Sequence, residues 1–496
     1  MKSLLAAAPL VLGVAIALLL PEHGAAAVLV CTVLSLPACL LLVRGGGADR
    51  YFLLRIFAAG LLARVLVGTA IFSSGLQQFF GGDAMVYDEL GHALAQVWRG
   101  QLHESLFMAE GGRFMTRDMG MPYVVGAIYY VTGRNMLAVQ FASAVLGAAT
   151  APLIYLCAHH IFQNLRVARL SAVFVAFYPS LVLWSSQGLK DGPVVFLLAL
   201  SILATLRLTE RLSVKQLLVL VVALFGIHSL RFYIFYMALA AACGAFFIGK
   251  SPVTARSVAR QTVVVVALGM AMTYMGVLRT ASSQLETFGT LEMMQQSRFD
   301  LARSADSGFG KDVDVSTTGG ALTAIPAGVV YLLFAPFPWQ LANLRQLITL
   351  PEMLVWWASF PLVVVGLWFT IKYRARQALP ILIFTTMLTL AYSIVQGNVG
   401  TAYRQRSQLL VFYFIFASVG FILLRERGED RRRRLAQEVD RGRGWVRGPR
   451  SPDASRPPAL ANVGAAGPAV RRDLSVDAAG DGEAVNESWA RAAGEG

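Results

Sequence analysis

The sequence predicts an all-α fold, a polytopic bundle of about 12 to 13 transmembrane helices with extracytoplasmic interfacial helices. Two observations predict it. Fifty-six per cent of the 496 residues are hydrophobic and the mean hydropathy is +0.59, outside the range of soluble domains. Uncharged runs also recur along the chain: Ser3–Leu20, Gly24–Val43, Asn135–Ala158, Leu170–Leu189, Phe232–Gly249, Gln261–Leu278, Met353–Ile371 and Ser407–Leu424. A helix rises about 1.5 Å per residue and the hydrocarbon core is about 30 Å thick, so runs of roughly 18 residues can span it.

The first run flows into a second without a convincing processing site and reads as a retained span. The basic residues then set the orientation. Arg44, Arg50 and Arg55 follow the second span, Arg166 and Arg169 the fourth, Arg207, Arg211 and Lys215 the sixth, and Lys250, Arg256 and Arg260 the eighth. These alternate loops read as cytoplasmic under the positive-inside rule, which accounts for the net charge of +14 without a nucleic-acid partner. The intervening loops include two long ones, 72–134 and 279–319, which read as extracytoplasmic. Val315–Leu344 breaks the pattern. As a full crossing it would put Lys372, Arg374 and Arg376 outside. As a re-entrant or interfacial hairpin, broken at Pro326, Pro336 and Pro338, it keeps them inside and gives 12 crossings with both termini cytoplasmic; a crossing here makes 13. Irregular backbone at membrane depth needs protein or a water-filled cavity around it, so this segment is expected to line the site.

The membrane domain is therefore expected over residues 1–424. From Arg425 the composition turns to Arg, Asp, Glu, Gly, Pro and Ala. Such a segment buries too little surface to offset its ordering entropy, and 425–496 reads as a disordered, Arg-rich cytoplasmic tail. The four cysteines, Cys31, Cys39, Cys157 and Cys243, lie in apolar runs without metal-binding spacing and read as packing residues.

The charged outliers gather on the extracytoplasmic side. Asp83 follows the third span in Gly81-Gly82-Asp83-Ala84-Met85-Val86-Tyr87-Asp88. A carboxylate there stays ionised at little cost and near lipid-borne substrates, where it can serve as a base or simply cap the following helix. Ala84–Trp98 reads as an amphipathic interfacial helix carrying Tyr87, Asp88 and Glu89, and Pro122–Thr132 as a second. Lys190 and Asp191 head a short apolar run that draws them towards the hydrocarbon edge, as a functional pair or an interfacial salt bridge. His228 and Arg231 occupy a turn at the same level. Arg404 and Arg406 close Gly397-Asn398-Val399-Gly400-Thr401-Ala402-Tyr403-Arg404-Gln405-Arg406. Guanidinium groups bind phosphate bidentately, so Arg231, Arg404 and Arg406 are candidate anchors for a lipid phosphate, or snorkel to headgroups. Arg64, inside the third span, is expected to snorkel or to be paired.

Through the acidic first loop with Asp83, its interfacial helices, and Phe177-Tyr178-Pro179-Ser180-Leu181 leading into Ser185, Gln187, Lys190 and Asp191, the chain resembles the GT-C superfamily of integral-membrane glycosyltransferases. Bacterial members similar to protein O-mannosyltransferases and aminoarabinose transferases are the nearest in pattern, over about residues 50–424. The resemblance implies a polyprenyl-phosphate-linked sugar donor, a glycan, lipid or protein acceptor, and transfer on the outer face of the bacterial inner membrane. It also implies a first-loop acid as general base. Asp83 and Asp88 are the catalytic candidates, and Tyr87, Lys190, Asp191, His228, Arg231, Arg404 and Arg406 the substrate-binding ones. Some relatives bind a divalent metal at the first-loop acid, which makes Mg or Mn compatible with Asp88 or Glu89, but no spacing specifies a metal site. The Gly-Asn-x-Gly-Thr-x-x-Arg element and the Ser307–Val315 loop look like features of a subgroup. Two other classes fit the composition: an O-antigen polymerase or ligase acting on lipid diphosphates, and a flippase for lipid-linked sugars. The absence of internal repeats and the clustering of polar outliers at one surface disfavour the flippase.

Overall fold

The computed structural model describes residues 2–45, 47–103, 120–248, 255–277, 281, 284, 289–303, 307–310, 313–341 and 343–446. By its contacts the chain divides into two units, Met1–Val419 and Gly420–Gly496. The first begins with α1 Lys2–Leu19, α2 Gly24–Gly45 and α3 Arg50–Ser73. The short α4 Gln77–Gly81 leads into an amphipathic pair, α5 Asp83–Trp98 and α6 Gly120–Thr132. Next come α7 Met136–Phe162, α8 Leu165–Phe177, α9 Pro179–Ser185, α10 Asp191–Glu210, α11 Val214–Leu230, α12 Phe232–Ile248 and α13 Ala255–Tyr274. The remainder is α14 Leu291–Arg303, α15 Thr318–Phe334, α16 Leu344–Val395, α17 Val399–Gln405 and α18 Ser407–Val446. The fold is all-α, as expected. The described β structure is an isolated bridge between Gly308 and Asn398.

Short polar side chains start several helices where the apolar runs begin. Asn135, Asn164, Thr317, Asn343 and Asn398 each accept from a backbone N–H of the following turn, which satisfies donors a helix start leaves open. The α8–α9 pair is bent by 55° at Tyr178–Pro179. Proline cannot donate and holds Tyr178 extended, so the carbonyls at the end of α8 lose their helical partners. Arg64 from α3 meets them, donating to Ala176 O at 2.8 Å and Val175 O at 3.3 Å, and to Ser185 Oγ at 2.7 Å. Arg64 is thus paired, and it fixes the position of the segment that carries Ser185 to Asp191. Gly147 on α7 lets this segment approach, because a Cβ there would stand 2.4 Å from the Ser185 Cβ.

Among the described residues, six helices are long and apolar enough to cross a membrane, or seven with the bent pair as one span. The 52-residue α16 contains two helices merged across non-helical backbone at Arg374, and five shorter apolar helices accompany them, α15 included. If α16 crosses twice and all the short helices but α15 cross, the number is 12. α15 packs beside the end of α16 and the link that follows it. Ala321 and Ala324 pack with Ile394, a Gly328 Cβ would lie 1.9 Å from Ser393 O, and Leu332 O accepts from Arg406 Nε at 2.7 Å. α15 thus packs against α16 and against the short link 393–406 between α16 and α18. Its last carbonyls are met by side chains: Trp356 Nε1 donates to Leu333 O at 2.7 Å, and Trp357 Nε1 to Phe334 O at 3.0 Å.

In the second unit the described residues are helical as far as Val446. This moves the start of the expected unstructured tail. Arg, Glu, Leu, Ala and Gln are good helix formers, and Arg425 Nε donates to Glu429 at 2.9 Å across one turn. Residues 447–496 lie outside the described residues.

Candidate active site

Four segments converge at the end of the bundle where α15 lies. Asp83 opens α5 and Asp191 opens α10, each in a first turn where the helix dipole favours a carboxylate. Arg231 sits between α11 and α12, and Arg404 in the last turn of α17. Arg404 bridges both acids. Its Nε donates to Asp191 Oδ2 at 2.7 Å, with Nη2 2.6 Å from the same oxygen, and Nη1 donates to Asp83 Oδ2 at 2.7 Å. Arg231 Nη2 donates to the other Asp191 oxygen at 2.8 Å, while its Nη1 donates to Tyr233 OH at 2.9 Å. Behind it, Tyr392 OH lies 3.3 Å from Tyr233 OH and donates to Gln408 Oε1 at 2.7 Å.

The two carboxylates differ in access. The Asp83 side chain is 54% exposed, that of Asp191 1%. Asp191 therefore organises the two guanidiniums, and Asp83 faces solvent. Burial works to lower the Arg404 pKa, but the facing Asp191 and Asp83 carboxylates outweigh it and hold it above the ordinary value. Tyr87, one turn after Asp83, has its phenol pushed up by burial and then by Asp83, so it remains a neutral hydrogen-bonding group. The cluster borders a cavity of about 640 Å³ lined by Gly82, Trp184, Arg345, Thr401 and Arg404 among others.

Of the residues singled out from sequence, the structure brings Asp83, Tyr87, Asp191, Arg231 and Arg404 together. Lys190 is half-buried beside Asp191. His228 packs edge-on against Phe235 with ring centroids 5.1 Å apart. Asp88 is placed elsewhere: it is buried between α5 and α6, accepting from Tyr129 OH and from Arg134 Nε at 3.0 Å. Arg406 is also elsewhere. It is 1% exposed and donates to Leu332 O and Ala335 O, with Nη1 3.1 Å from Met353 Sδ. It points into the α15–α16 junction, two residues and more than half a helical turn from Arg404. No three His, Cys, Asp or Glu side chains among the described residues are disposed to hold a metal ion, and both carboxylates of the cluster already accept from guanidiniums.

Sequence reasoning passed over Trp184 and Arg345, which mark the cavity wall. The two segments that looked like subgroup features meet. Ser307 Oγ donates to Asn398 Oδ1 at 2.9 Å, Val399 N to Ser307 O at 3.1 Å, and Phe309 N to Gly397 O at 2.7 Å. The loop thus fastens the segment that carries Arg404.

Residues 118–276 match the family model of dolichyl-phosphate-mannose-protein mannosyltransferases. The match supports a membrane glycosyltransferase of the GT-C type. It bears out the resemblance drawn from the sequence, and the matched stretch includes Asp191 and Arg231 but not Asp83 or Arg404. No curated protein matches the chain.

Proposed function

We propose that this membrane glycosyltransferase moves a sugar, a hexose or a pentose, from a polyprenyl-phosphate donor to an envelope glycan, lipid or protein. The reaction would take place on the extracytoplasmic face of a bacterial inner membrane. The observation that carries the reading is the pair of unequal carboxylates around Arg404. An exposed acid, Asp83, is paired with Arg404, which lines a cavity large enough for a substrate, and a buried acid, Asp191, holds the arginine that aims it.

In this reading Asp83 takes the proton of the acceptor hydroxyl. The acceptor oxygen bonds to the anomeric carbon as the bond from that carbon to the phosphate oxygen breaks. The electron pair leaves with the phosphate, and polyprenyl phosphate is the second product. The transition state is oxocarbenium-like, so the protein must stabilise negative charge on the departing phosphate, for which arginines at the cavity are suited. Gathering of the charges at one end of the bundle supports an enzyme over a flippase, whose polar groups belong near the bilayer midplane.

The test uses purified full-length protein with a panel of polyprenyl-phosphate hexoses and pentoses labelled in the sugar, and an envelope extract as acceptor source. Transfer from one donor class, with release of polyprenyl phosphate, is the expected result. Transfer from nucleotide sugars alone, or from lipid diphosphates alone, would overturn the proposal.

A further inference from the structure

Among the described residues three carboxylates are buried: Asp88, Asp191 and Glu352. Arginines meet the first two. Glu352, on α16, is met by a phenol instead: Tyr403 OH donates to Glu352 Oε2 at 2.9 Å. Arg406 stands nearby but gives its donors to Leu332 O and Ala335 O. Burying a carboxylate costs free energy, and an apolar side chain of similar volume would fold as well or better. Stability alone does not explain an acid at this place.

Substrate contact does not explain it either. Glu352 is 7% exposed and, among the described residues, is not part of the cavity wall. Its partner is. Tyr403 lines the cavity and is the neighbour of Arg404 in α17, a helix of seven residues. So short a helix has little stability of its own, and its side-chain contacts decide how it is rotated. Successive residues lie about 100° apart round a helix, so Tyr403 and Arg404 leave α17 on different sides. Arg404 reaches Asp83 and Asp191. Tyr403 reaches back to Glu352, its ring edge-on to Trp184 with centroids 6.3 Å apart and the Arg406 guanidinium 5.5 Å from its own.

Glu352 also faces the other half of the cluster. Tyr178 and Ser180, at the bend between α8 and α9, stand beside its carboxylate. That bend begins the segment running through Ser185 to Asp191, which Arg64 holds from α3. One buried acid thus stands between the segment that carries Asp191 and the segment that carries Arg404.

We propose that Glu352 is a positioning residue for sugar transfer: through Tyr403 it fixes the rotation of α17, and so the reach of Arg404 to Asp191 and Asp83. This deepens the transfer reading and rests on it. A hydroxyl–carboxylate bond is charge-assisted and about twice as strong as a neutral one, which suits a tie that holds a seven-residue helix.

The test uses the full chain in nanodiscs and has two readouts. The first is transfer from a polyprenyl-phosphate sugar, per folded molecule. Glu352→Met keeps the length and removes the acceptor, so kcat should fall about tenfold or more, as for a small misplacement of a catalytic group, with KM for donor unchanged. Tyr403→Phe removes the same bond from the other side, and the double variant should be no slower than the slower single one. Glu352→Gln keeps an acceptor oxygen and should recover most of the loss. The second readout needs no substrate. Unfolding midpoints of Glu352→Met, Asp191→Asn and their double variant should be non-additive, the double falling short of the summed shifts, because both act on α17. Wild-type kcat in Glu352→Met overturns the proposal whatever its midpoint, and so does multiplication of the two losses in the double variant with Tyr403→Phe. Glu352→Gln as slow as Glu352→Met overturns the hydrogen bond as the tie. Additive midpoints overturn the link through α17. Absence of transfer by wild type with non-additive midpoints overturns the transfer reading and leaves the link standing.

Discussion

Replacing Asp191 by Asn should destabilise the protein far more than replacing Asp83 by Asn, although both carboxylates face Arg404. Asp191 is 1% exposed, and its two oxygens accept from Arg231 at 2.8 Å and Arg404 at 2.7 Å. The amide keeps the shape and one acceptor but no charge, leaving two buried guanidiniums without their counter-ion. Removing one partner of a buried ion pair costs about 3–5 kcal/mol, and the retained acceptor places this case near the lower end. Asp83 is 54% exposed, and a solvent-screened pair contributes about 0–1 kcal/mol. The assay is thermal unfolding of detergent-purified variants, read as the fraction that remains monodisperse after heating. The expected order is wild type, then Asp83→Asn close behind, with Asp191→Asn well below. Equal midpoints for wild type and Asp191→Asn would refute the assignment of Asp191 as the organiser of the cluster.

Arg406→Met should destabilise the protein by about 1–3 kcal/mol for each buried carbonyl left without its donor, read as a lower unfolding temperature. The Michaelis constant for donor should stay unchanged in the protein that survives; a raised constant with wild-type stability would return Arg406 to the phosphate. Asp88→Asn loosens the α5–α6 pair through Arg134 and Tyr129, so limited proteolysis of 83–132 should speed up while donor binding holds. Loss of binding with unaltered proteolysis would contradict that. In a chain lacking its four cysteines, Gly82→Cys and Thr401→Cys should react with a membrane-impermeant thiol reagent in intact cells. Arg211→Cys and Arg376→Cys should react only after permeabilisation. Outside labelling at 376 with inside labelling at 401 would make α15 a true crossing and separate Asp83 from Arg404 by the membrane.

Much of the cluster was legible because charge inside an apolar chain has few roles. Asp83, Asp191, Arg231 and Arg404 stand out against their neighbours, and alternating basic loops place them at one level. The choices between close neighbours depended on helix geometry. Asp83 and Tyr87 are four residues apart and share a face, whereas Asp88 is five from Asp83 and turns to α6. Arg404 and Arg406 are two apart and cannot both face the cavity. Arg345 and Trp184 carried no signal of their own, since an arginine at a helix start and a tryptophan in an apolar run are ordinary. Only the approach of α4, α9, α16 and α17 sets them around one space. The helix beyond Arg425 was missed for a different reason. A low apolar content argues against burial, but it does not prevent Arg and Glu from extending a helix already started.

The central claim is that Asp83 takes the acceptor proton while Arg404 aims it. The most direct measurement is the single-turnover rate of sugar transfer from a saturating polyprenyl-phosphate sugar, compared between wild type and Asp83→Asn protein of matched folded fraction. The amide preserves size and accepts a hydrogen bond from Arg404 but cannot take the proton, and general-base catalysis contributes about 10²–10⁴-fold. The account predicts a rate lower by that factor with donor affinity nearly unchanged; transfer by Asp83→Asn within a few-fold of wild type would contradict it.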